Sequence, residues 1–309
     1  MNARTQVEAA RSAVLAVPRA ATAVLTVTGR DRLSWLNGLV TCDLVKTRAG
    51  EGSYGLVVAR NGRVLADAVV LVEEQRLLLA VPGFVVSTLR QHFDHYLVME
   101  DAQVEPEANA FDVWALHGPR SGEVARSGRA AGALGGEFDR TGLGGAILFA
   151  PREHAERVRS AIAADLAQAG GELGDEAGWE ALRIERAVPE FGIDFDDKTY
   201  PQEAGLEKVA VSFEKGCYLG QEVVCMLEMR GHVKRKLVAL VVDAPEAPPK
   251  GAAVTDSIGA SVVGEVTSTA MSPTLSQPVA LGMLKRAHAE PGTVVSVGGA
   301  RAKVVERPA

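Results

Sequence analysis

An α+β fold that ends in a small antiparallel β-barrel is the architecture this sequence predicts. Three observations lead there. Asn61-Gly62 lies between two β-prone runs, the strongest short-range signal of a hairpin. The elements before residue 100 run strand, helix, three strands, helix. From residue 236 the texture changes to evenly spaced short strands, separated by Pro245, Pro248-Pro249, Pro273, Pro291-Gly292 and Gly298-Gly299.

Each element has its own local reason. Residues 24–28 are β-prone, and Asp31 is placed to cap a helix over 32–37, with Gly38 at its expected end. Strands follow at 55–60, 63–72 and 76–81, the last stopped by Pro82-Gly83. Val85, Leu89, Phe93 and Tyr96 recur near helical spacing and predict a helix over 84–98. A second unit opens with a strand at 111–116, ended by His117-Gly118-Pro119 and followed by a helix of small residues. A glycine-rich loop over 132–145 leads to a strand at 146–150. Pro151 then opens a helix with Val158, Ile162 and Leu166 on one face, closed by Gly170-Gly171. A further helix over 179–187 stops before Pro189, and one more is expected over 221–230. Barrel strands are expected at 236–242, 253–255, 264–267, 280–284, 293–297 and 302–305. The break near Gly231 divides the chain into a core of two intertwined subdomains, 1–231, and a barrel domain, 232–309.

Composition narrows the function. The chain has 309 residues, 47% hydrophobic and 23% charged, which excludes a disordered or coiled-coil protein. Its apolar runs fall far short of the ~20 residues a membrane helix needs. With 33 basic against 39 acidic residues the net charge is −6, which argues against direct nucleic-acid binding. The three cysteines, Cys42, Cys217 and Cys225, form no C-x-x-C pair. That argues against a disulfide framework, and against a zinc site or cluster held by this chain alone. A reducing, cytoplasmic setting is expected. Residues 1–18 carry Arg4 and Arg11 but no secretory h-region, so a mitochondrial presequence is the lesser reading.

Two motifs mislead by spelling. Gly50-x-Gly52-x-x-Gly55 has the letters of a dinucleotide fingerprint, but a strand follows where phosphate binding needs a helix N-terminus. His92 and His95 share a helix face without a third ligand nearby, and read as polar-face histidines. The informative stretch is Lys215-Gly216-Cys217-Tyr218-Leu219-Gly220-Gln221-Glu222. Cys217 sits between glycines, two residues from a cation and just before a helix, an environment that favours thiolate. The bland alternative is a small cysteine in a turn.

That stretch resembles the K-G-C-[YF]-x-G-Q-E signature of the YgfZ family, folate-binding relatives of the glycine-cleavage T-protein, an aminomethyltransferase. Six other segments support the resemblance: residues 35–44, the hairpin 61–67, residues 182–192 (with Ala187 at a usual glycine), Pro201-Gln202-Glu203, and residues 264–268 and 280–282 in the expected barrel. The resemblance implies a T-protein-like ring of three subdomains around a central channel that takes tetrahydrofolate or a one-carbon derivative. It implies catalytic roles for Cys217, Asp43 and Lys215, and folate contacts from Arg183, Asp43, Tyr218, Gln221 and Glu222, with no metal. Asp43 reads equally as the carboxylate beside the folate nitrogens or as a turn aspartate. Arg183 pairs either with the folate glutamate tail or with Glu185, and Asp67 reads as a strand-end residue. T-proteins carry an acid in a Y-x-G-E segment where residues 140–146 here have none, a loss that weakens or reorients pterin binding. By resemblance the protein assists synthesis or repair of iron–sulfur clusters, with client enzymes or assembly proteins as partners. The alternative is a folate-dependent aminomethyltransferase.

Overall fold

The computed structural model describes residues 2–229 and 231–309; the expected helix end at Arg230 lies outside them. Two five-stranded sheets and a closed barrel make up the fold. The first sheet runs in the order Gly52–Val58, Val64–Val72, Leu77–Pro82, Thr22–Thr28, Gln103–Pro106, all antiparallel. The second places Leu15–Pro18 between Glu172–Leu173 and Phe111–His117, then continues with Gly145–Pro151 and Leu134–Glu137. In the barrel all six expected strands close in the order Arg235–Val242, Gln277–Lys285, Val262–Ser272, Ala253–Asp256, Val294–Val297, Ala300–Val305.

The chain therefore starts in the second sheet, crosses to the first at residues 19–21, and returns at Phe111. Helices Arg32–Asn37 and Val86–His95 cover one face of the first sheet, and Ser121–Ala130 and Ala155–Ala169 cover one face of the second. The opposite faces meet through Leu71, Leu78, Val113, Ile147 and Phe149. This is helix-and-sheet layering around shared cores, the α+β class expected.

Several local expectations are revised. Residues 3–12 form a helix, Ala3–Ser12, which buries Gln6, Val7, Ala9 and Ala10 against helix Glu176–Glu185. Asp31 does not cap the helix it precedes; its carboxylate instead accepts from the Asp101 amide at 2.8 Å. Gly38 ends that helix in right-handed conformation. The glycine-rich run hides strand Leu134–Glu137, where a Cβ on Gly135 would stand 2.0 Å from the Ile147 carbonyl oxygen. Asp67 lies inside strand Val64–Val72 rather than at its end.

Two buried cations hold these parts together. Arg183, on helix Glu176–Glu185, is fully buried and uses all five of its donors. It donates to both Glu180 carboxylate oxygens at 2.6 Å, Asp194 at 2.8 Å, the Val188 carbonyl at 3.3 Å and Ser268 Oγ on the barrel at 2.7 Å. Neither Glu185 nor an open ligand site takes it, contrary to both readings of the sequence. Glu185 instead accepts from Arg11, Ser272 and Thr274, a second tie between the helices and the barrel.

Lys215 is the other. Its ammonium donates to the carbonyls of Asn37 at 2.5 Å, Val40 at 2.9 Å and Cys42 at 2.7 Å. These are orphan carbonyls at and beyond a helix end, which a lysine suits well. Gly220 then presses its backbone on the hairpin turn: its φ is +79°, and a Cβ there would stand 2.5 Å from the Ala59 carbonyl oxygen. The turn itself closes by Gly62 N–H donating to Ala59, with Gly62 at φ +77°.

Arg183→Ala leaves Asp194 and Glu180 without their cation, so the variant should lose about 3–5 kcal/mol of stability in equilibrium urea unfolding. An unchanged midpoint would remove Arg183 as the organising charge. Gly220→Ala should cost at least about 1–2 kcal/mol from the left-handed backbone alone, whereas Gly216→Ala, where a Cβ meets nothing within 4 Å, should change the thermal midpoint little.

Candidate functional site

A cavity of about 530 Å³ opens between the two sheets and the segment from Gly174 to Ile193, a volume typical of small-molecule sites. The crossover at residues 19–21 supplies one wall, strands Gly52–Val58 and Val64–Val72 another, and Trp179, Glu190 and Phe191 a third. Its polar groups come from separate parts of the chain. Tyr54 and Asp67 face it from adjacent strands, and the Tyr54 hydroxyl donates to Asp67 at 2.9 Å. Arg140 lies 3.6 Å from the same carboxylate, 4.2 Å above the Tyr54 ring, and donates to the Pro189 carbonyl. Burial pushes the Asp67 carboxyl up, with Arg140 and the Tyr54 hydroxyl opposing.

The opposite end has a different character. Glu190 accepts from Arg19 at 2.6 Å and from the Trp179 indole at 2.7 Å. Burial raises its carboxyl, but Arg19, Arg183 and the indole N–H outweigh that and hold it below the usual range. His117 stacks on Trp179 with centroids 4.6 Å apart and planes 16° from parallel. Burial, aided by Arg19, pushes its imidazole down to about 3, so it is neutral at physiological pH. Neither ring nitrogen has a hydrogen-bond partner among the described residues.

The sequence-expected residues gather elsewhere. Cys217 is exposed on the loop that Lys215 anchors. Asp43 is close by, 3.4 Å from Lys46, with its carboxylate accepting from the Val45 amide, and it is not a cavity-lining residue. Tyr218 is buried with its hydroxyl unpartnered, and the Lys215 ammonium lies 5.3 Å from its ring centroid. Gln221 accepts from the Tyr218 amide, and Glu222 is exposed at the start of helix Gln221–Met229. The structure thus joins Lys215, Tyr218 and Gln221 into one supported loop with Asp43 beside it, while Arg183 is a structural tie behind the cavity. Burial lowers Lys215 to about 8, and pushes the Cys42 thiol up to about 12. The loop sits at the tip of the hairpin whose middle carries Asp67, about 13 Å away along the strand by the usual rise of four residues.

Sequence reasoning passed over Tyr54, Arg19, His117, Trp179 and Glu190. Only Asp67 had a usable signal, a charge inside an otherwise apolar nine-residue strand. Among the described residues no cluster of three or more His, Cys, Asp or Glu could hold a metal, which leaves His92 and His95 as a pair; His92 lies edge-on to Phe93 and Tyr96. No described helix is long and apolar enough to cross a membrane.

Comparison with known proteins agrees with this architecture. Residues 2–131 match the GCVT N-terminal domain, and residues 235–309 match the glycine cleavage T-protein C-terminal barrel domain. An aminomethyltransferase of Symbiobacterium thermophilum is 30% identical over 322 residues, covering 91% of this chain and 82% of the relative. One from Streptomyces avermitilis is 29% identical, covering 87% and 77%. The crystal structure of glycine cleavage system aminomethyltransferase T from Bartonella henselae superposes with a TM-score of 0.83 at 20% identity, over 99% of this chain and 89% of that one. The fold is that of this structure, and the chain belongs to the glycine cleavage T-protein, or aminomethyltransferase, family.

Proposed function

We propose that this protein binds tetrahydrofolate in its central cavity and serves as a cytoplasmic accessory factor for iron–sulfur enzymes, with Cys217 as its working thiol. The observation that carries the reading is Cys217 itself: it is exposed on a loop held by a buried lysine, a buried tyrosine and an obligatory glycine. So much rigid support under one accessible side chain suits a group that must be presented to another molecule. The eight-residue likeness to the YgfZ signature points the same way. Client enzymes or assembly proteins that carry clusters are the partners this reading requires.

Folate fits the cavity by its chemistry. Trp179, Phe191 and Phe138 offer flat apolar walls, His117 an unpartnered donor and acceptor, and Arg19 and Arg140 positive charge for carboxylates. When bound, tetrahydrofolate would supply one-carbon carrier chemistry. This chain's own residues would bind and orient it, and Asp67 is the carboxylate they offer inside the cavity. Asp67 is already engaged by Tyr54 and Arg140, which suits binding better than proton exchange with a substrate amine.

A second reading is a folate-dependent aminomethyltransferase, favoured by relatives of that name aligned over 87–91% of the chain. Purified protein given an aminomethyl-lipoyl carrier and tetrahydrofolate tests it directly: formation of methylene-tetrahydrofolate would establish the enzyme and displace the accessory reading.

For the accessory reading, Cys217→Ala should bind tetrahydrofolate as the unaltered protein does and keep its stability within about 0.5 kcal/mol, as exposed substitutions do. It should nonetheless fail to restore cluster-dependent enzyme activities in a deletion strain. Full restoration would refute the role of the thiol. In alkylation of the folded protein Cys217 should react first and the buried Cys42 last.

A further inference from the structure

A second cavity, of about 540 Å³, shares the crossover at residues 19–21 with the central one but is otherwise a different place. Tyr54, Asp67, His117 and Trp179 have no part in it. Small apolar side chains make up much of its lining, among them Ala21, Ala23, Val24 and Pro106. Trp114, on strand Phe111–His117, lines it as well. It is 2% exposed, and its indole N–H has no hydrogen-bond partner among the described residues. A buried N–H without an acceptor costs free energy, because it has given up water for nothing. A ligand that brings an acceptor recovers that cost.

We propose that this second cavity binds a small amphipathic monocarboxylate, its carboxylate accepting from the Trp114 indole N–H and the Arg159 guanidinium and its hydrocarbon body lying against the alanines. The charges around the cavity single out Arg159. Arg19 is committed to Glu190 at 2.6 Å and Arg152 to Asp112 at 3.4 Å. Arg159 has only Glu156, at 4.0 Å, among the described residues. Its guanidinium carbon lies 5.6 Å from the centroid of the Trp114 ring, so the one weakly paired cation of the lining stands over the one unpartnered N–H. A carboxylate has two oxygens and can serve both groups at once. A doubly charged head group fits less well, since Glu107 adds negative charge to the same lining. Folate need not be bound for this site to fill.

Nitrogen–proton NMR of the full chain, whose three tryptophans give three indole signals, reads the site directly. Octanoate should move the Trp114 signal, identified by its loss in Trp114→Phe, and leave that of Trp179 in the central cavity where it is. Should Trp114→Phe fail to fold, ring contacts with the Arg159 side chain assign the same signal. Octanamide, which keeps the body and removes the charge, should need about tenfold more ligand for the same shift. Octanoate should need the same excess with Arg159→Gln, the loss expected for one charge-assisted hydrogen bond. Arg159 is 55% exposed, so that variant keeps its fold. A Trp114 signal unmoved by octanoate would overturn the proposal, as would movement of Trp179 alone. Equal binding of octanamide, or an unchanged octanoate titration in Arg159→Gln, would overturn the carboxylate contact. Tighter binding of octyl phosphate than of octanoate would overturn the choice of a single charge.

Discussion

The buried guanidinium of Arg183 is the interaction on which the rest of the structure depends. It ties helix Glu176–Glu185 to the turn at Asp194 and to Ser268 of the barrel in one step. Glu180, which it grips with two hydrogen bonds, and Glu190, 3.9 Å from its Nε, both line the cavity. The position of the cavity's acidic wall is therefore set from behind, by a fully buried residue that does not line the cavity. A buried ion cluster is a poor source of net stability, since desolvation cancels much of the attraction. What it supplies here is geometry: five donors in a planar fork admit one arrangement of three elements and no near alternative.

Lys215 does for the exposed loop what Arg183 does for the cavity. A carbonyl cluster at a helix end is negative by construction, and a lysine reaching in from residues remote in sequence neutralises it while fixing its own loop. The two sites share a hairpin: its turn carries the Gly220 contact, and its strands carry Tyr54 and Asp67. A shift in hairpin register would therefore be felt at both places.

Much of the fold was legible because its signals are local. The Asn61-Gly62 turn, the Val158, Ile162, Leu166 stripe and the proline-punctuated barrel strands each declare themselves within a dozen residues. What was not legible depends on tertiary contact. Strand Leu134–Glu137 reads as a loop because close backbone approach requires its glycines, and those same glycines erase the strand pattern. Arg183 reads as a ligand contact on motif grounds, yet its role emerges only once Asp194 and Ser268 are brought to it. The cavity is scattered over residues 19, 54, 67, 117, 140, 179 and 190 without any spacing to announce it, whereas the Cys217 loop is continuous and was visible at once.

The crossover at residues 19–21 has a consequence for how the chain is made. Strand Leu15–Pro18 is built early but finds its neighbours only at Phe111–His117 and Glu172–Leu173. On the ribosome it must wait, with Leu15, Ala16 and Val17 uncovered, until more than a third of the protein has emerged, and its second neighbour follows only past the halfway point. Contacts this distant in sequence slow folding and prolong exposure of sticky apolar strands. The first sheet, all of whose strands lie between Thr22 and Pro106, has no such delay. Synthesis thus imposes an order in which the first sheet precedes the cavity, which is walled by both sheets.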